Sequence, residues 1–580
     1  MNNGLLAHIT SPADLRRLSM TELDQLAQEM REAILARCQA IGGHLSSNLG
    51  VVEATIALHY VFDAPRDKIV LDTSHQCYAH KMLTGRAWAF TDPSRYNEVS
   101  GFTNPLESEY DLFRCGHTST SISLACGLAK ARNLVGGTEN VVALVGDGCL
   151  SGGEAFEGLD NVSLVGGNLI IVLNDNEMSI AEDRGGMYPH FAELRATKGT
   201  CANNLFRAFG LDYTYVEEGN SVSALVEAFQ RVKDIDHPIV VHIHTTKGKG
   251  VSWAEADKES THNFHVVDTL AATPAGDYRK VTREFILEKI RRDRRVIAVN
   301  AATPGGTGLT PEFRAEVGDQ FFDVGICEQH AVTFSAALAK GGVKPVFFVS
   351  STFLQRAYDQ IVQDLALNQS PATVLVFQSG YSSLDATHVG VFDLAYTGNV
   401  PGLTCLAPAT VEQYLAMLDW SIERSQGPVV IRVPEDYVST GQPVTFDESD
   451  VARFEITRRG SRVALVGLGT MAALAGAVAD ELLDQAGIEA TVVSATTYSA
   501  LDRKLLFSLE ENHDLVVTIE NGILYGGFGE KVARVLGPSH MRVLCFGGTK
   551  EFVDRLPANE IRQRFRLEPK AFAAEIAAKL

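Results

Sequence analysis

An α/β protein of three domains, each with a mainly parallel sheet flanked by helices, is what the sequence predicts. Two observations carry this. Short apolar runs recur along the whole chain with helical stretches between them, and two of those runs close in turns rich in glycine, aspartate and asparagine. The runs fall at 140–145, 168–173, 238–243, 295–299, 345–349, 372–377, 428–433, 462–466, 490–494, 515–519 and 541–546. Each is short and apolar throughout, as strands buried in a parallel sheet are.

Punctuation between the runs sets the domain limits. The stretch from Val267 to Tyr278, with Ala271-Ala-Thr-Pro-Ala-Gly276, reads as one connection, and the polar, acidic stretch from Gly441 to Asp450 as another. They delimit an N-terminal domain over 1–270, a middle domain over 275–440 and a C-terminal domain over 445–580. A chain of 580 residues is long enough for three such domains, each burying its own core. No repeat, low-complexity tract or apolar run approaching a membrane helix interrupts them.

The formal charge of −20 argues against nucleic acid or an anionic membrane as the main partner. Nine cysteines without a Cys-x-x-Cys pair fit reduced thiols in the cytoplasm, and Cys149 and Cys327 read as small packing residues. The start of the chain has neither a basic nor a long apolar segment of the kind that directs export. The expectation is a soluble cytoplasmic protein.

Gly146-Asp147-Gly148 closes the run Asn140-Val-Val-Ala-Leu-Val145. Asn174-Asp175-Asn176, about 28 residues further on, closes Asn168-Leu-Ile-Ile-Val-Leu173. Both turns therefore sit at carboxyl ends of strands, the edge where open α/β sheets bind ligands. An aspartate and an asparagine side by side there supply hard oxygen donors suited to Mg²⁺ carrying a diphosphate, and the glycines admit close backbone approach to phosphate oxygens. Taken alone, Gly-Asp-Gly is also an ordinary turn. The pair at this spacing resembles the thiamine diphosphate signature of the transketolase superfamily, which implies Asp147 and Asn176 side chains and the Met178 carbonyl as metal ligands.

In the middle domain, Phe321-Phe-Asp-Val-Gly-Ile326 runs into Cys327-Glu328-Gln329-His330 and a stretch rich in small residues. This places Glu328 between a strand end and a helix start. A carboxylate there stabilises the helix dipole in its own right. Beside a thiamine-type site it would face the aminopyrimidine N1′ and promote the tautomer that removes the thiazolium C2 proton.

Further motifs identify a resemblance to 1-deoxy-D-xylulose-5-phosphate synthase. They are His44-Leu-Ser-Ser-Asn-Leu-Gly-Val-Val-Glu53, His75-Gln-Cys-Tyr-Ala-His-Lys-Met-Leu-Thr-Gly-Arg86, Ser108-Glu-Tyr-Asp111, Gly116-His-Thr-Ser-Thr-Ser-Ile-Ser123, Asn174-Asp-Asn-Glu-Met-Ser-Ile180, Glu328-Gln-His-Ala-Val-Thr-Phe334 and Thr352-Phe-Leu-Gln-Arg-Ala-Tyr-Asp-Gln360. The resemblance implies a transketolase-like homodimer with thiamine diphosphate and Mg²⁺ held between the N-terminal and middle domains. Gly116, His117, Thr118, Gly146, Asp147, Gly148, Asn176 and Lys247 would bind the cofactor. Phe353 would stack on the aminopyrimidine, Glu328 would activate it, and His44, His75, His117 and His265 would ring the thiazolium. His59, His80 and His262 are left as structural histidines.

The chain departs from that family where the acceptor phosphate binds. The family's two arginines fall at Gln378 and Glu435, and its tyrosine at Ser350. The loop carrying an aspartate and a histidine is a residue shorter, leaving Asp385 and His388, and the segment after Met178-Ser-Ile180 is cut to about 181–206. Arg356 remains. Phosphate favours planar guanidinium donors, each charge-assisted bond being worth about 1.5–3 kcal/mol. A neutral amide and a carboxylate in their place therefore predict a changed acceptor, unless Arg184, Arg195 and Lys198 rebuild an anion site. The expected function is a carboligase that decarboxylates pyruvate or a related 2-oxo acid and joins the two-carbon unit to an aldehyde. A transketolase-like ketol transfer and a non-catalytic cofactor-binding partner are the alternatives.

Overall fold

The computed structural model describes residues 4–265, 276–434 and 437–580. The chain forms two compact units, one of residues 1–271 with 325–327 and one of 272–324 with 328–580.

In the first unit the strands are β1 (Lys68–Leu71), β2 (Val141–Gly146), β3 (Leu169–Asp175), β4 (Asp212–Val216) and β5 (Pro238–His244), ordered β1-β2-β3-β5-β4. Every pairing is parallel. Successive residues of the central strands enter different cores. Val142, Leu144, Ile170 and Val172 join one buried cluster, and Val141, Ala143, Val145, Leu169, Ile171 and Leu173 join another. Both faces of the sheet are thus buried, which is why these strands read as unbroken apolar runs.

The second unit holds two sheets. One contains β6 (Val296–Asn300), β7 (Phe321–Asp323), β8 (Lys344–Ser350), β9 (Thr373–Phe377), β10 (Thr404–Leu406) and β11 (Val429–Arg432), all parallel in the order β10-β11-β9-β8-β6-β7. The other contains β12 (Phe454–Arg458), β13 (Arg462–Leu468), β14 (Thr491–Ala495), β15 (His513–Ile523) and β16 (Arg542–Gly548), ordered β12-β14-β13-β15-β16 with only β12 antiparallel. The expected break near 440 lies inside this unit. One buried cluster takes Val299, Phe347 and Val376 from the first of these sheets and Ala464, Val466, Val493 and Val516 from the other.

All eleven apolar runs are strands. The strands outside those runs are the short β1, β7 and β10, of which β7 was expected from the Phe321–Ile326 motif, and the edge strands β4 and β12. An edge strand is buried on fewer sides and can carry polar residues, as β4 (Asp-Tyr-Thr-Tyr-Val) does. The shortened 181–206 segment contains a helix, Met187–Ala196, with Phe191 and Leu194 buried. All nine cysteines are free thiols. Among the described residues no helix is long and apolar enough to cross a membrane.

A buried ion pair ties the second unit together. Arg432 Nε donates to Asp393 Oδ2 at 2.7 Å, and its Nη2 donates to the Asn521 carbonyl at 3.0 Å. Removing one partner leaves the other charge buried alone, which costs about 3–5 kcal/mol. Asp393→Ala should therefore move the urea midpoint of the protein markedly downward, and an unchanged midpoint would contradict this reading of the pair.

Candidate functional site

Register builds the candidate metal edge. Gly146 of β2 pairs with Asn174 of β3, and Asp175 of β3 with His244 of β5, so three neighbouring strands end at the same level. The Asp147 amide donates to the Asn174 carbonyl at 3.1 Å. The Asp147 carboxylate in turn accepts from backbone amides, Oδ1 from Gly148 at 2.7 Å and Oδ2 from Asn176 and Glu177 at 2.9 Å each. From β5, Thr245 Oγ1 donates to Asn174 Oδ1 at 2.6 Å, and the buried Lys247 ammonium donates to the Ser179 carbonyl.

The electrostatics of this edge call for a cation. Burial and the neighbouring Asp183 and Asp175 push the Asp147 carboxyl well above the ordinary carboxylate range. Asp183 is pushed up to about 7 by burial and by Asp175. Burial brings Lys247 down to about 8 against the pull of Asp147 and Asp183. Asn176 Oδ1 and Asp183 Oδ1 are buried without a hydrogen-bond donor. A side chain at Gly148 would collide with Ser179, so only glycine fits. Among the described residues no group of three or more His, Cys, Asp and Glu side chains makes a metal site. The available donors are a carboxylate, an amide oxygen and backbone carbonyls, with the half-buried Met178 two residues beyond Asn176. This hard-oxygen set fits Mg²⁺ and the diphosphate it carries.

Support comes from Asp72, His242 and Tyr213, which the sequence pattern did not single out, and from Asp175 and Arg195 in roles it did not foresee. Asp72, at the end of β1, accepts from the Ser119 amide at 2.8 Å and the Ser121 amide at 3.0 Å, and so fixes the loop carrying Gly116, His117 and Thr118. Behind Asn176, Asp175 Oδ2 binds His242 Nε2 at 2.8 Å and Arg195 Nη1 at 2.5 Å, and Tyr213 binds the far side of His242 at 2.8 Å. Thr73, Ser74, Ser119 and Glu177 all take positive φ values, between 57° and 74°. Backbone strain of this kind gathers at functional sites.

The histidines divide. Asn48 donates to the carbonyls of His44 and His75 at 2.7 Å each, and the two rings lie 5.0 Å apart. The third ring of the cluster is His262, 5.7 Å from His44 and 5.2 Å from His75. His265 is exposed, one residue past the Gly43–Phe264 bridge, and His117 is half-buried. His262 is thus placed with His44 and His75, although the sequence reading gave it a structural role. Burial, then the charges of Lys247, His75 and His44, keeps its imidazole well below the usual pKa. His59 and His80 pair with each other and, through His80, with Asp111, as structural histidines do.

In the second unit the site residues also cluster at strand ends. Glu328 is the first residue of a helix, Glu328–Lys340, that follows β7. Burial raises its pKa against the opposing charge of Arg356, whose Nη1 lies 3.7 Å from Glu328 Oε2, and that oxygen has no hydrogen-bond partner. Ser350 ends β8 and pairs in register with Phe377, which precedes Gln378 at φ 53°. The Phe353 ring meets the His388 ring edge-on at 5.6 Å. Asp385 Oδ1 accepts from the Thr387 amide and hydroxyl, and burial lowers the His388 pKa while Asp385 opposes the shift. Glu435 lies outside the described residues.

The cations that could rebuild an anion site have these surroundings. Arg195 is held by Asp175 and Glu177, Arg184 binds Glu182, and Lys198 is exposed. Arg432 is bound to Asp393.

Comparisons with known proteins bear on these features. The profile of the family described as 1-deoxy-D-xylulose-5-phosphate synthase matches residues 6–202 and 192–245. Profiles for the transketolase pyrimidine-binding and C-terminal domains match 275–439 and 452–571. The 1-deoxy-D-xylulose-5-phosphate synthase of Symbiobacterium thermophilum is 40% identical, over 99% of this chain and 95% of that protein. The 1-deoxy-D-xylulose-5-phosphate synthase 1 of Geobacter sulfurreducens is 37% identical, over 99% and 97%. Among solved structures, the transketolase from Leishmania mexicana is 15% identical with a TM-score of 0.43, over 95% of this chain and 97% of that one.

A buried carboxyl with one oxygen unpartnered can act in proton transfer, a contribution of about 10²–10⁴-fold in rate. Glu328→Ala should lose turnover by at least about a hundredfold while its Mg²⁺ and thiamine diphosphate affinities stay broadly intact in calorimetry. Near-normal turnover in that variant would remove Glu328 from the chemistry.

Proposed function

This chain belongs to the 1-deoxy-D-xylulose-5-phosphate synthase family, and from that membership we propose a homodimeric, cytoplasmic carboligase with an altered aldehyde acceptor. It is a thiamine diphosphate-dependent transferase that uses a divalent metal ion. The donor is pyruvate or a related 2-oxo acid, which loses carbon dioxide before its two-carbon unit joins the aldehyde. The reading rests above all on the crowding of Asp147 by Asp183 and Asp175 beside the unpartnered Asn176 Oδ1.

Asp147 and Asn176 side chains and the Met178 carbonyl would hold the metal. Lys247 and the backbone around Gly116, His117, Thr118, Gly146 and Gly148 would take the diphosphate. Phe353 would stack on the aminopyrimidine, an aromatic contact, with Glu328 sharing a proton with its ring nitrogen. When bound, thiamine diphosphate supplies the electron sink that decarboxylation needs. His44, His75, His117 and His265 would donate to substrate oxygens, and His262 would keep the His44 and His75 rings in place. Asn48, which ties the backbones of His44 and His75 together, sets their spacing.

The acceptor reading follows from charge. Gln378 and Glu435 stand where the family has arginines, Arg432 and Arg195 are held by carboxylates, and Arg356 faces Glu328. An acceptor site short of guanidinium donors favours an aldehyde whose recognition does not depend on a phosphate.

Purified protein with thiamine diphosphate, Mg²⁺ and pyruvate should release carbon dioxide and ligate unphosphorylated aldehydes at least as efficiently as glyceraldehyde 3-phosphate, read by product mass and kcat/KM. Efficient formation of deoxyxylulose phosphate would overturn the acceptor reading. Ketol transfer from a ketose without carbon dioxide release would replace the donor, and cofactor binding without any turnover would replace the carboligase.

A further inference from the structure

The loop that follows β9 carries Asp385 and His388, and it is tied to the last sheet of the chain and to the segment that follows that sheet. Some of its bonds are internal. Asp385 accepts from Thr387, the His388 amide donates to the Asp385 carbonyl at 2.7 Å, and Gly380 donates to Gly390 at 2.7 Å across the loop's neck. The external ties come from β15 and from the segment beyond β16. The Tyr381 amide donates to Asn521 Oδ1 at 2.9 Å and the Ala386 amide to Asp554 Oδ1 at 3.2 Å. The Arg555 amide donates to the Leu384 carbonyl at 2.8 Å, and the Ile523 amide to the Val391 carbonyl at 3.1 Å.

Packing repeats the same pairing. A side chain at Gly380 would collide with the Asn521 amide, and a side chain at Gly548 would collide with the Tyr381 ring and hydroxyl. Each partner therefore offers a glycine to admit the other's side chain. The Tyr381 ring then packs on Phe565, with ring centroids 4.3 Å apart. These contacts reach the proposed chemistry in two steps. The Thr387 carbonyl accepts from Thr352 Oγ1 at 2.9 Å, next to Phe353, and Thr387 Oγ1 pairs with His388 Nδ1 at 2.8 Å. A loop tied at Tyr381, Leu384, Ala386 and Val391 to another part of the fold takes position from those anchors, and small displacements of aligned groups are costly to reaction.

We propose that Asn521, Asp554 and Tyr381 are positioning residues that hold His388 and Asp385 beside Phe353, so that the C-terminal sheet sets the geometry of the aldehyde-accepting face. The placing of that face rests on the carboligase reading, whereas the anchoring of the loop does not. Two measurements separate the two. Hydrogen exchange on the full-length protein should show the 381–391 amides exchanging about tenfold faster in Asp554→Ala and in Asn521→Ala, with β15 unchanged. Asp554→Asn, which keeps an oxygen for the Ala386 amide, should restore protection.

In steady-state kinetics with pyruvate and either D-glyceraldehyde or glyceraldehyde 3-phosphate, the alanine variants should raise the aldehyde KM about fivefold and leave the pyruvate KM within about twofold. Unchanged exchange in both alanine variants would overturn the anchoring. Faster exchange with the two KM values moving together would overturn the link to the acceptor. If the wild type turns over neither aldehyde, the carboligase reading fails and the exchange result alone decides the anchoring.

Discussion

Three carboxylates, Asp147, Asp175 and Asp183, meet at the carboxyl edge of the first sheet, and the rest of the site is arranged around the negative charge they gather there. The register of β2 against β3 makes the crowding unavoidable, because Gly146 opposite Asn174 brings the two turns side by side. The chain answers each carboxylate differently. Burial tends to raise the Asp175 pKa, but His242 and Arg195 bind the group directly and hold it low. Asp183 has Lys247 within reach, and that lysine is itself weakened by burial. Asp147 accepts hydrogen bonds from the backbone amides of Gly148, Asn176 and Glu177, an arrangement that leaves room for a cation in the proposed site. A divalent cation inverts the local pKa logic and returns the carboxylate to its charged form.

The second unit shows the same economy with less charge. Strand ends carry Glu328, Ser350 and Gln378 to one edge of the first of its two sheets, and the unpartnered oxygen of Glu328 is the counterpart of Asn176 Oδ1 in the first unit. The two sheets share a buried cluster, and the ion pair of Arg432 with Asp393 lies where β11 meets the Asn521 carbonyl of β15. A sheet that carries none of the expected cofactor ligands thus shapes the edge that does. Its arginine, Arg432, is bound to Asp393.

How much of this could be read from sequence depended on whether the signal was local. The turns at Asp147 and Asn176 were legible because a metal edge needs particular residues at strand ends, and Glu328 because the same logic marks a helix start. Asp72 was not, since it acts through amides 47 or more positions away, and neither were the contacts that Asp183 makes with Asp147, 36 positions away, and that Arg195 makes with Asp175 and Glu177, 20 and 18 positions away. His262 was set aside as a lone histidine, and only the pairing of Gly43 with Phe264 brings it to His44 and His75. The two-sheet second unit was hidden for a related reason, because a polar connection such as 441–450 marks a break between sheets without revealing that they share a core.

Thiamine diphosphate binding, measured by calorimetry with and without Mg²⁺ in the wild type and in Asp147→Ala, tests the charge-crowded edge most directly. Tight binding should require Mg²⁺ in the wild type and should weaken by at least about a hundredfold in the variant, as losing a charged ligand from a buried metal site does. Binding of equal strength without the metal, or unchanged in Asp147→Ala, would mean that this edge does not carry the cofactor.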